Sequence, residues 1–363
     1  MTKMIDIFES YQSARKHFIS KAQQQELSIE GHTLPNHLGI DGETLSCDIA
    51  SPSHQKHNTC LIVSSGVHGI EGYCGSGIQQ TLLGSRIYQE ISQHVDVHLV
   101  HAVNPYGFSH GSRVNEGNID LNRNFIDFTE KKAPWALYEE YRSRAYPHNW
   151  QDVSLQQVFD ILKQVERDVG IEKMQAITTH GQHDYPQDLF YGGDQPAWST
   201  LLWQSYIQSI VTNYDFIIHI DLHTGLGLEG DCQAIYTGLP ELTDKVTLAQ
   251  QWLGYNAVII PGTQDSISAS IDGTLGSYID KFDVTSISVA LEFGTQPIDK
   301  IIQTLAMDCW LKHNPQADKL VHLKIKQALR EAFLVDSPSW RKAVWEHTEF
   351  YLKRLLDGFK TNT

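Results

Sequence analysis

Three apolar runs of strand length each lead to a side chain that can bind a metal ion or carry a proton. Residues 60–63 are followed, after a short Ser/Gly segment, by His68 and Glu71; residues 216–222 lead to His223; residues 287–291 lead to Glu292. Short apolar runs bounded by turn signals are typical of buried strands. Because open α/β sheets place their sites at the carboxyl ends of parallel strands, we expect these side chains to converge.

His68, Glu71 and His223 form a donor set that suits a catalytic zinc ion. Such an ion takes three protein ligands from His, Glu, Asp or Cys and keeps a fourth position open, so a closely spaced pair plus a distant third is the expected pattern. Imidazole and carboxylate ligands without thiolate fit zinc best but also tolerate other first-row ions. The sequence offers no second ligand cluster, so one zinc ion is predicted.

At these residues the chain resembles the zinc carboxypeptidase A-like superfamily (the funnelins), and within it a bacterial branch. The resemblance is carried by GVHGIEGYCGSGIQ, NPYGFSHGSRVNEGNIDLNRNF, DLHTGLG and LEFGTQP, and it extends from about residue 61 to residue 297. It implies one α/β domain over residues 1–363, with a twisted, mixed and largely parallel sheet covered by helices on both faces, as in the phosphorylase/hydrolase-like fold.

The resemblance also implies a role for each site residue. A carboxylate that accepts from a zinc histidine fixes its tautomer, and a guanidinium can hold a carboxylate through two parallel hydrogen bonds. In these roles the resemblance implies His68, Glu71 and His223 as zinc ligands, Glu292 as general base, Arg113 as oxyanion stabiliser, Asn122 and Arg123 as ligands of the substrate's terminal carboxylate, and Asp120 as the partner of His68.

Plainer interpretations exist for each feature taken singly. An HxxE pair arises easily by chance in a chain with 18 histidines, and His223 could be a core histidine at a strand end. Residues 120–125 could form a turn capped by Asn side chains, and Arg113 could belong to a surface salt bridge. Their occurrence together and in family order favours the functional interpretation.

The sequence departs from the family in the region that selects the substrate. Residues 266–273 contain no tyrosine where classical carboxypeptidases have a mobile one, and Tyr278 is out of register. The specificity position falls near Leu275 or Gly276, which argues against a pocket for a basic side chain. Residues 180–186 (HGQHDYP) have no chemical role in the family, and we expect them to form a wall of the active-site funnel, followed by a loop at residues 191–194.

Three functions are compatible with these residues. The first is a zinc metallopeptidase of carboxypeptidase type that cleaves an amide bond near a free carboxylate, in a small peptide or cell-wall fragment. The second is an N-acyl amino acid deacylase of the aspartoacylase and succinylglutamate desuccinylase type. Residues 292–297 (EFGTQP) resemble a Glu-X-Gly-X-X-Pro segment of that branch. The third is a catalytically idle module that binds a metal or a peptide.

Composition limits the partners and the compartment. A net charge of −15 argues against nucleic acid and anionic membranes as partners. The five cysteines are an odd number without a CxxC pair, which makes a disulfide framework improbable. We see no signal peptide at the N-terminus and no apolar run of about 18 residues, so a cytoplasmic enzyme is expected. The oligomeric state stays open.

Helical spacing predicts an N-terminal helix over about residues 5–25 and two C-terminal helices over about residues 315–359, divided at Ser337 and Pro338. Another helix is predicted over residues 195–213, with Asp194 as its possible cap. Residues 225–230 fit GxGxxG but are followed by a strand pattern, so we interpret them as a glycine turn and not as a dinucleotide site.

Overall fold

A single mixed sheet forms the centre of the computed structural model, which describes residues 3–130, 136–255, 257–261 and 271–361. Its eight strands are β1 (Ser28–Leu38), β2 (Thr44–Ser51), β3 (Thr59–Ser65), β4 (Asp96–His101), β5 (Phe216–Gly225), β6 (Cys232–Tyr236), β7 (Val258–Ile259) and β8 (Thr285–Gly294). They lie in the order β1-β2-β4-β3-β5-β8-β6-β7.

The middle of the sheet is parallel. Strands β4, β3, β5 and β8 run in one direction, whereas β2 pairs with β4, and β6 with β8, in antiparallel fashion. The carboxyl ends of β3, β5 and β8 therefore lie at the same edge. The predicted α/β fold with a mixed, largely parallel sheet is confirmed, and the strands that precede the candidate ligands are neighbours.

Helices cover both faces of this sheet. They are α1 (Tyr11–Gln24), α2 (Gly72–Leu83), α3 (Arg86–Ile91), α4 (Pro105–Ser109), α5 (Ala136–Ala145), α6 (Leu155–Val169), α7 (Ile171–His180), α8 (Trp198–Ile210), α9 (Thr243–Leu253), α10 (Leu275–Ile279), α11 (Ile298–His313), α12 (Lys319–Phe333) and α13 (Pro338–Thr361). Helices α2 and α9 contact the sheet on one side, and α8 and α10 lie on the other.

Alternate residues of β5 face the two layers, as strand geometry requires. Ile218, Ile220 and Leu222 belong to the larger core with α2, and Ile217 belongs to the smaller core with α8 and α10. The remaining positions on the α8 side are the polar residues 219, 221 and 223, all buried. This polar row on a central strand lies at the edge where the candidate ligands meet.

Two predicted helix starts are shifted. Helix α1 begins at Tyr11 because the Ser10 side chain accepts a hydrogen bond from Ser13 N at 3.2 Å, as an N-cap does. Helix α8 begins at Trp198, so the predicted start at residue 195 and the cap at Asp194 are wrong. The cause is Asn124, whose side chain bonds the backbone of residues 192, 195 and 197 and holds that segment out of the helix.

The two C-terminal helices and the glycine turn after β5 agree with the sequence-based predictions. The C-terminal helices α12 and α13 are separated by residues 334–337. Strand β5 ends at Gly225, and the next element is strand β6 and not a helix. No helix in the described ranges is both long and apolar enough to cross a membrane.

Candidate metal centre

Three side chains at adjacent strand ends form a compact group that could hold a metal ion. The ligand atoms of His68, Glu71 and His223 all lie within 4.8 Å of one another, and all three residues are buried. His68 Nδ1 lies 2.9 Å from Glu71 Oε1, and His223 Nδ1 lies 3.0 Å from Glu71 Oε2. Within the described ranges this is the one group of its kind. It consists of the three residues singled out from the sequence.

Each imidazole directs its other nitrogen at a carboxylate. His68 Nε2 lies 3.1 Å from Asp120 Oδ1, and His223 Nε2 lies 2.7 Å from Asp221 Oδ2. A ring that donates from Nε2 keeps a lone pair on Nδ1, which is the form that ligates a metal. Sequence reasoning named Asp120 but gave Asp221 no role. The alternation of residues 219, 221 and 223 was the available signal, because it places all three on one strand face.

The charge of the centre also suits a cation. Burial opposes the ionisation of Glu71, but the charges and hydrogen bonds of His68 and His223 hold its pKa well below its ordinary value. Burial likewise opposes a charge on His223, yet Asp221 and Glu71 hold the pKa of that ring well above its ordinary value. A divalent cation would take the place of the ring proton between these carboxylates. The donor set and its surroundings therefore fit such an ion.

A tight loop after β3 sets the position of the first two ligands. His68 precedes a single turn of 3-10 helix, Gly69–Glu71, which turns the Glu71 side chain toward the His68 ring. The backbone N–H groups of Gly69 and Ile70 donate to the carbonyls of residues 113 and 112. A Cβ at Gly69 would lie 2.0 Å from the backbone of Gly107, so this close approach requires glycine.

Glu292 lies next to the ligand group on the neighbouring strand. The register of β5 and β8 pairs it with His223, and its Oε1 accepts a hydrogen bond from Leu226 N at 2.9 Å. The side chain is partly exposed to the pocket that the three ligands also line. Burial and the negative charge of Glu71 raise the pKa of Glu292 to about 7. A carboxylate with this pKa can both accept and return a proton near neutral pH.

Arg113 lies against the ligand group and also lines the pocket. Its Nε donates to Asp120 at 3.0 Å and its Nη1 donates to Glu71 at 3.1 Å. Its Nη2 lies 2.8 Å from His68 Nε2, a nitrogen that cannot accept from Arg113 while it donates to Asp120. The ring of Phe190 packs 5.0 Å from the guanidinium carbon. The guanidinium is thus placed beside the ligands by a carboxylate and an aromatic face.

Asn122 and Arg123 line the pocket, but protein groups already engage much of their polar surface. Arg123 donates from Nε to His180 O at 3.1 Å, from Nη1 to Asn122 O at 3.0 Å, and from Nη2 to Thr179 O. Asn122 Oδ1 accepts from Leu275 N at 3.1 Å. The three bonds of Arg123 use three of the five N–H groups of its guanidinium. The role of this pair toward a substrate carboxylate stays a prediction.

The pocket wall differs from the prediction at the specificity position. Leu275 belongs to the apolar core on the α8 side, and a Cβ at Gly276 would lie 2.5 Å from Thr237 Oγ1, so neither position faces the pocket. Ile271 and Thr274 line it instead. The residue next to the expected position, Thr274, thus lies at the pocket, and the part of this segment in selecting the substrate stays a prediction. The apolar part of the lining also includes Ile235, Ala290, Ile298, Ile301, Ile302, Leu305 and Phe333.

Tyr278 packs away from the pocket. Tyr278 lies in α10, and its hydroxyl accepts a hydrogen bond from Gln208 Nε2 at 2.9 Å while its ring packs on Phe282. It does not line the pocket. Residues 266–270, which belong to the stretch without a tyrosine, lie outside the described residues.

The segment around residues 179–193 contributes to the pocket and fixes the residues at its floor. Thr179 and Phe190 line the pocket, and Tyr191 O accepts from Asp120 N at 2.7 Å. Gly192 O accepts from Asn124 Nδ2 at 2.6 Å. Phe190 takes a backbone φ of +53°, which is uncommon for a residue other than glycine. Residues 180–186, predicted as the wall, are not among the lining residues of this pocket, whereas residues 191 and 192 hold Asp120 and Asn124 through their backbone carbonyls.

Comparison with solved structures finds weak overall similarity to metallopeptidases. Bovine thrombin-activatable fibrinolysis inhibitor is 11% identical, with 88% of this chain and 98% of that chain covered and a TM-score of 0.47. A candidate metallopeptidase from Shewanella amazonensis SB2B is 17% identical, with 85% and 98% covered and a TM-score of 0.46. A metallo-carboxypeptidase from Burkholderia cenocepacia is 14% identical, with 94% and 70% covered and a TM-score of 0.43.

Sequence comparison gives a family but no relative of known activity. No curated protein matches the chain. The model of one protein family, DUF2817, matches residues 8–347, which include every candidate site residue discussed above. The chain therefore belongs to DUF2817, a family of proteins of unknown function.

Proposed function

We propose that this protein is a metal-dependent hydrolase of amide bonds, with His68, Glu71 and His223 as the ligands of one zinc ion. The observation that carries the proposal is the pairing of this ligand group with Glu292. The carboxylate lies across the β5–β8 register from His223, is accessible from the pocket, and has a pKa of about 7. A structural metal site would not need a proton acceptor beside it.

Side chains of the protein would transfer the proton, stabilise the developing negative charge and orient the metal ligands. Glu292 would take a proton from the attacking water and pass it to the leaving nitrogen. Arg113, beside Glu71 and Asp120, would donate to the carbonyl oxygen as negative charge develops there. When bound, zinc would lower the pKa of its water and polarise the carbonyl. Asp120 and Asp221 would hold the two imidazoles with Nδ1 toward the ion.

The finer assignment is a carboxypeptidase-type enzyme that acts next to a free carboxylate. Arg123 and Asn122 support it because both line the pocket near the ligands. The alternative is an N-acyl amino acid deacylase, which is favoured by the resemblance of residues 292–297 to the corresponding segment of that branch. Both share the same metal chemistry, so only the substrate separates them.

A substrate panel tests the hydrolase and separates the two assignments. N-acylated dipeptides, their C-terminal amides and N-acetyl amino acids are incubated with zinc-loaded protein and with chelator-treated protein, and released amines are measured. Zinc-dependent cleavage of dipeptides supports the peptidase, and cleavage of N-acetyl amino acids alone supports the deacylase. If zinc-loaded protein cleaves nothing in the panel, or if chelation leaves cleavage unchanged, the proposed hydrolase is contradicted.

The carboxylate assignment needs a separate comparison because Arg123 also supports the backbone of residues 179 and 180. Arg123→Lys is assayed on each dipeptide acid and on the matching amide, so that general damage to the site cancels in the ratio. We expect the acid to lose at least about tenfold more kcat/KM than the amide, since lysine cannot bind a carboxylate through two parallel hydrogen bonds. Equal losses would remove this role.

A further inference from the structure

A chain of hydrogen bonds continues from the ligand His223 into the interior of the sheet. Asp221 accepts from His223 Nε2 through Oδ2, and its other oxygen, Oδ1, accepts from Ser64 Oγ at 2.6 Å. Ser64 Oγ lies in turn 2.8 Å from His219 Nε2. All four residues are at most 4% exposed. This row of hydrogen bonds therefore leads from the pocket, which His223 lines, into the buried interior of the sheet.

The strands bring these groups together by register. Ser64 on β3 pairs with Asp221 on β5, so the two side chains lie side by side on the same face. His219 and His223 flank Asp221 at two-residue spacing on that face. Such a row of polar side chains on a central parallel strand is unusual, because these strands are buried on both sides and are ordinarily apolar.

The donors and acceptors in this row of hydrogen bonds can be assigned. The single hydroxyl proton of Ser64 goes to Asp221, so Ser64 Oγ must accept from His219, and His219 carries its proton on Nε2. Burial lowers the pKa of His219 to about 4, which keeps the ring neutral. Its Nδ1 is then a bare acceptor and has no partner among the described residues. Ser64 and His223 thus both donate to the carboxylate of Asp221, and His219 donates to Ser64.

We propose that Ser64 and His219 are positioning residues that orient Asp221 and thereby fix His223 for metal binding. Resting on the metal site proposed above, this assigns a function to buried polar groups that the reaction itself does not use. The Ser64 hydroxyl occupies the oxygen of Asp221 that His223 leaves free, so the carboxylate cannot rotate without losing a buried hydrogen bond. The imidazole is then held with Nδ1 toward Glu71.

The test is the zinc dissociation constant of the full-length protein, measured by competition with a chromophoric chelator. Ser64→Ala should weaken zinc binding about tenfold, at the low end of the range for groups that support a ligand indirectly. The matched control is Ser65→Ala, because Ser65 is equally buried but donates to Gln79 Oε1 at 3.0 Å, away from the ligands. The control should change the constant less than about twofold by the same reasoning.

A second variant and a second readout keep the outcome clear. His219→Phe retains a ring against Trp203 and removes the donor to Ser64, and it should weaken zinc binding in the same direction. The visible spectrum of the cobalt-loaded protein should change in Ser64→Ala and His219→Phe but not in Ser65→Ala. Wild-type affinity and spectrum in a folded Ser64→Ala or His219→Phe protein would overturn the proposal.

The same measurements separate this proposal from the proposed function. If the wild type binds zinc and the variants change zinc binding as described, but the wild type cleaves no amide, the hydrolase assignment fails and the positioning role stands. If the wild type binds zinc and the variants match it, the positioning role alone fails. If the wild type binds no zinc, both are overturned.

Discussion

At the residue scale, Glu292 shows which properties of a side chain can be predicted from sequence: its position in a strand can be, and its pKa cannot. It lies near the carboxyl end of the buried strand β8, and it is close enough to Glu71 for the two negative charges to interact. Strand position could be predicted from the apolar run before it. The raised pKa of Glu292 could not be predicted, because it depends on burial in the folded protein and on a carboxylate more than 200 residues away in the chain.

In the metal-free protein, we expect Glu292→Gln to change how the free energy of unfolding depends on pH. A carboxyl group whose pKa rises from 4.5 to about 7 on folding stabilises the protein below pH 4.5, and this contribution is lost as the pH rises through 7. Glutamine does not titrate, so the variant should gain stability relative to wild type between about pH 5 and about pH 8. Urea unfolding at both pH values measures this gain. A constant difference between the proteins would contradict it.

Arg113 should affect catalysis more than substrate affinity. Its guanidinium is held beside the ligands by Asp120, Glu71 and the face of Phe190. Arg113→Lys keeps the charge but loses the fork of donors, so kcat on a cleaved amide should fall roughly 10²- to 10³-fold with a smaller change in KM. Steady-state kinetics check this, with exposed Arg144→Lys as the control. A normal kcat would exclude an oxyanion role.

At the scale of elements, patterning predicted buried strands better than exposed ones. Strands β3, β5 and β8 are central and apolar, and their positions follow from the sequence. Strand β1 was not predicted because it lies at the sheet edge, its side chains are mostly exposed, and it contains Pro35. The start of α8 was misplaced because a side chain distant in sequence, Asn124, competes for the backbone of the first turn.

In helix α12, the same substitution should affect the free energy of unfolding differently on the buried and the exposed face. Leu329 is fully buried in the larger core, whereas Leu323 on the same helix is 56% exposed. Leu329→Ala should lower the free energy of unfolding by about 2–5 kcal/mol, because it removes buried methyl groups and leaves a cavity. Leu323→Ala should change it by about 0.5 kcal/mol or less. Chemical denaturation compares the two, and similar losses would mean that the helix packs otherwise.

At the scale of the whole molecule, the site exists only when distant segments fold together. Its candidate ligands come from residues 68–71 and 223, the carboxylate proposed as the base comes from residue 292, and the carboxylates that contact the two imidazoles come from residues 120 and 221. The order of the motifs and the resemblance predicted which side chains meet. The bonds of Arg123 to the last residues of α7, and the pocket wall at Ile271 and Thr274, depend on contacts between segments distant in sequence, so a local sequence pattern could not predict them.

Zinc should stabilise the whole fold, since the ligands are distant in sequence and the unfolded chain offers no preformed site. At a free zinc concentration 100 times the dissociation constant, the free energy of unfolding should increase by about 2.7 kcal/mol. Thermal denaturation of chelator-treated and zinc-loaded protein measures the effect. His223→Ala should abolish most of it. The same melting temperature with and without zinc would contradict a metal site in the folded protein.

The most direct test of the account is the turnover of wild type and Glu292→Gln at equal zinc content. Both proteins are loaded with zinc, their metal content is determined, and hydrolysis of the same amide is followed; exposed Glu166→Gln serves as the matched control. We predict one zinc ion per chain in all three proteins and a loss of roughly 10²- to 10⁴-fold in kcat for Glu292→Gln alone, as for removal of a general base. Undiminished turnover in Glu292→Gln would contradict the account.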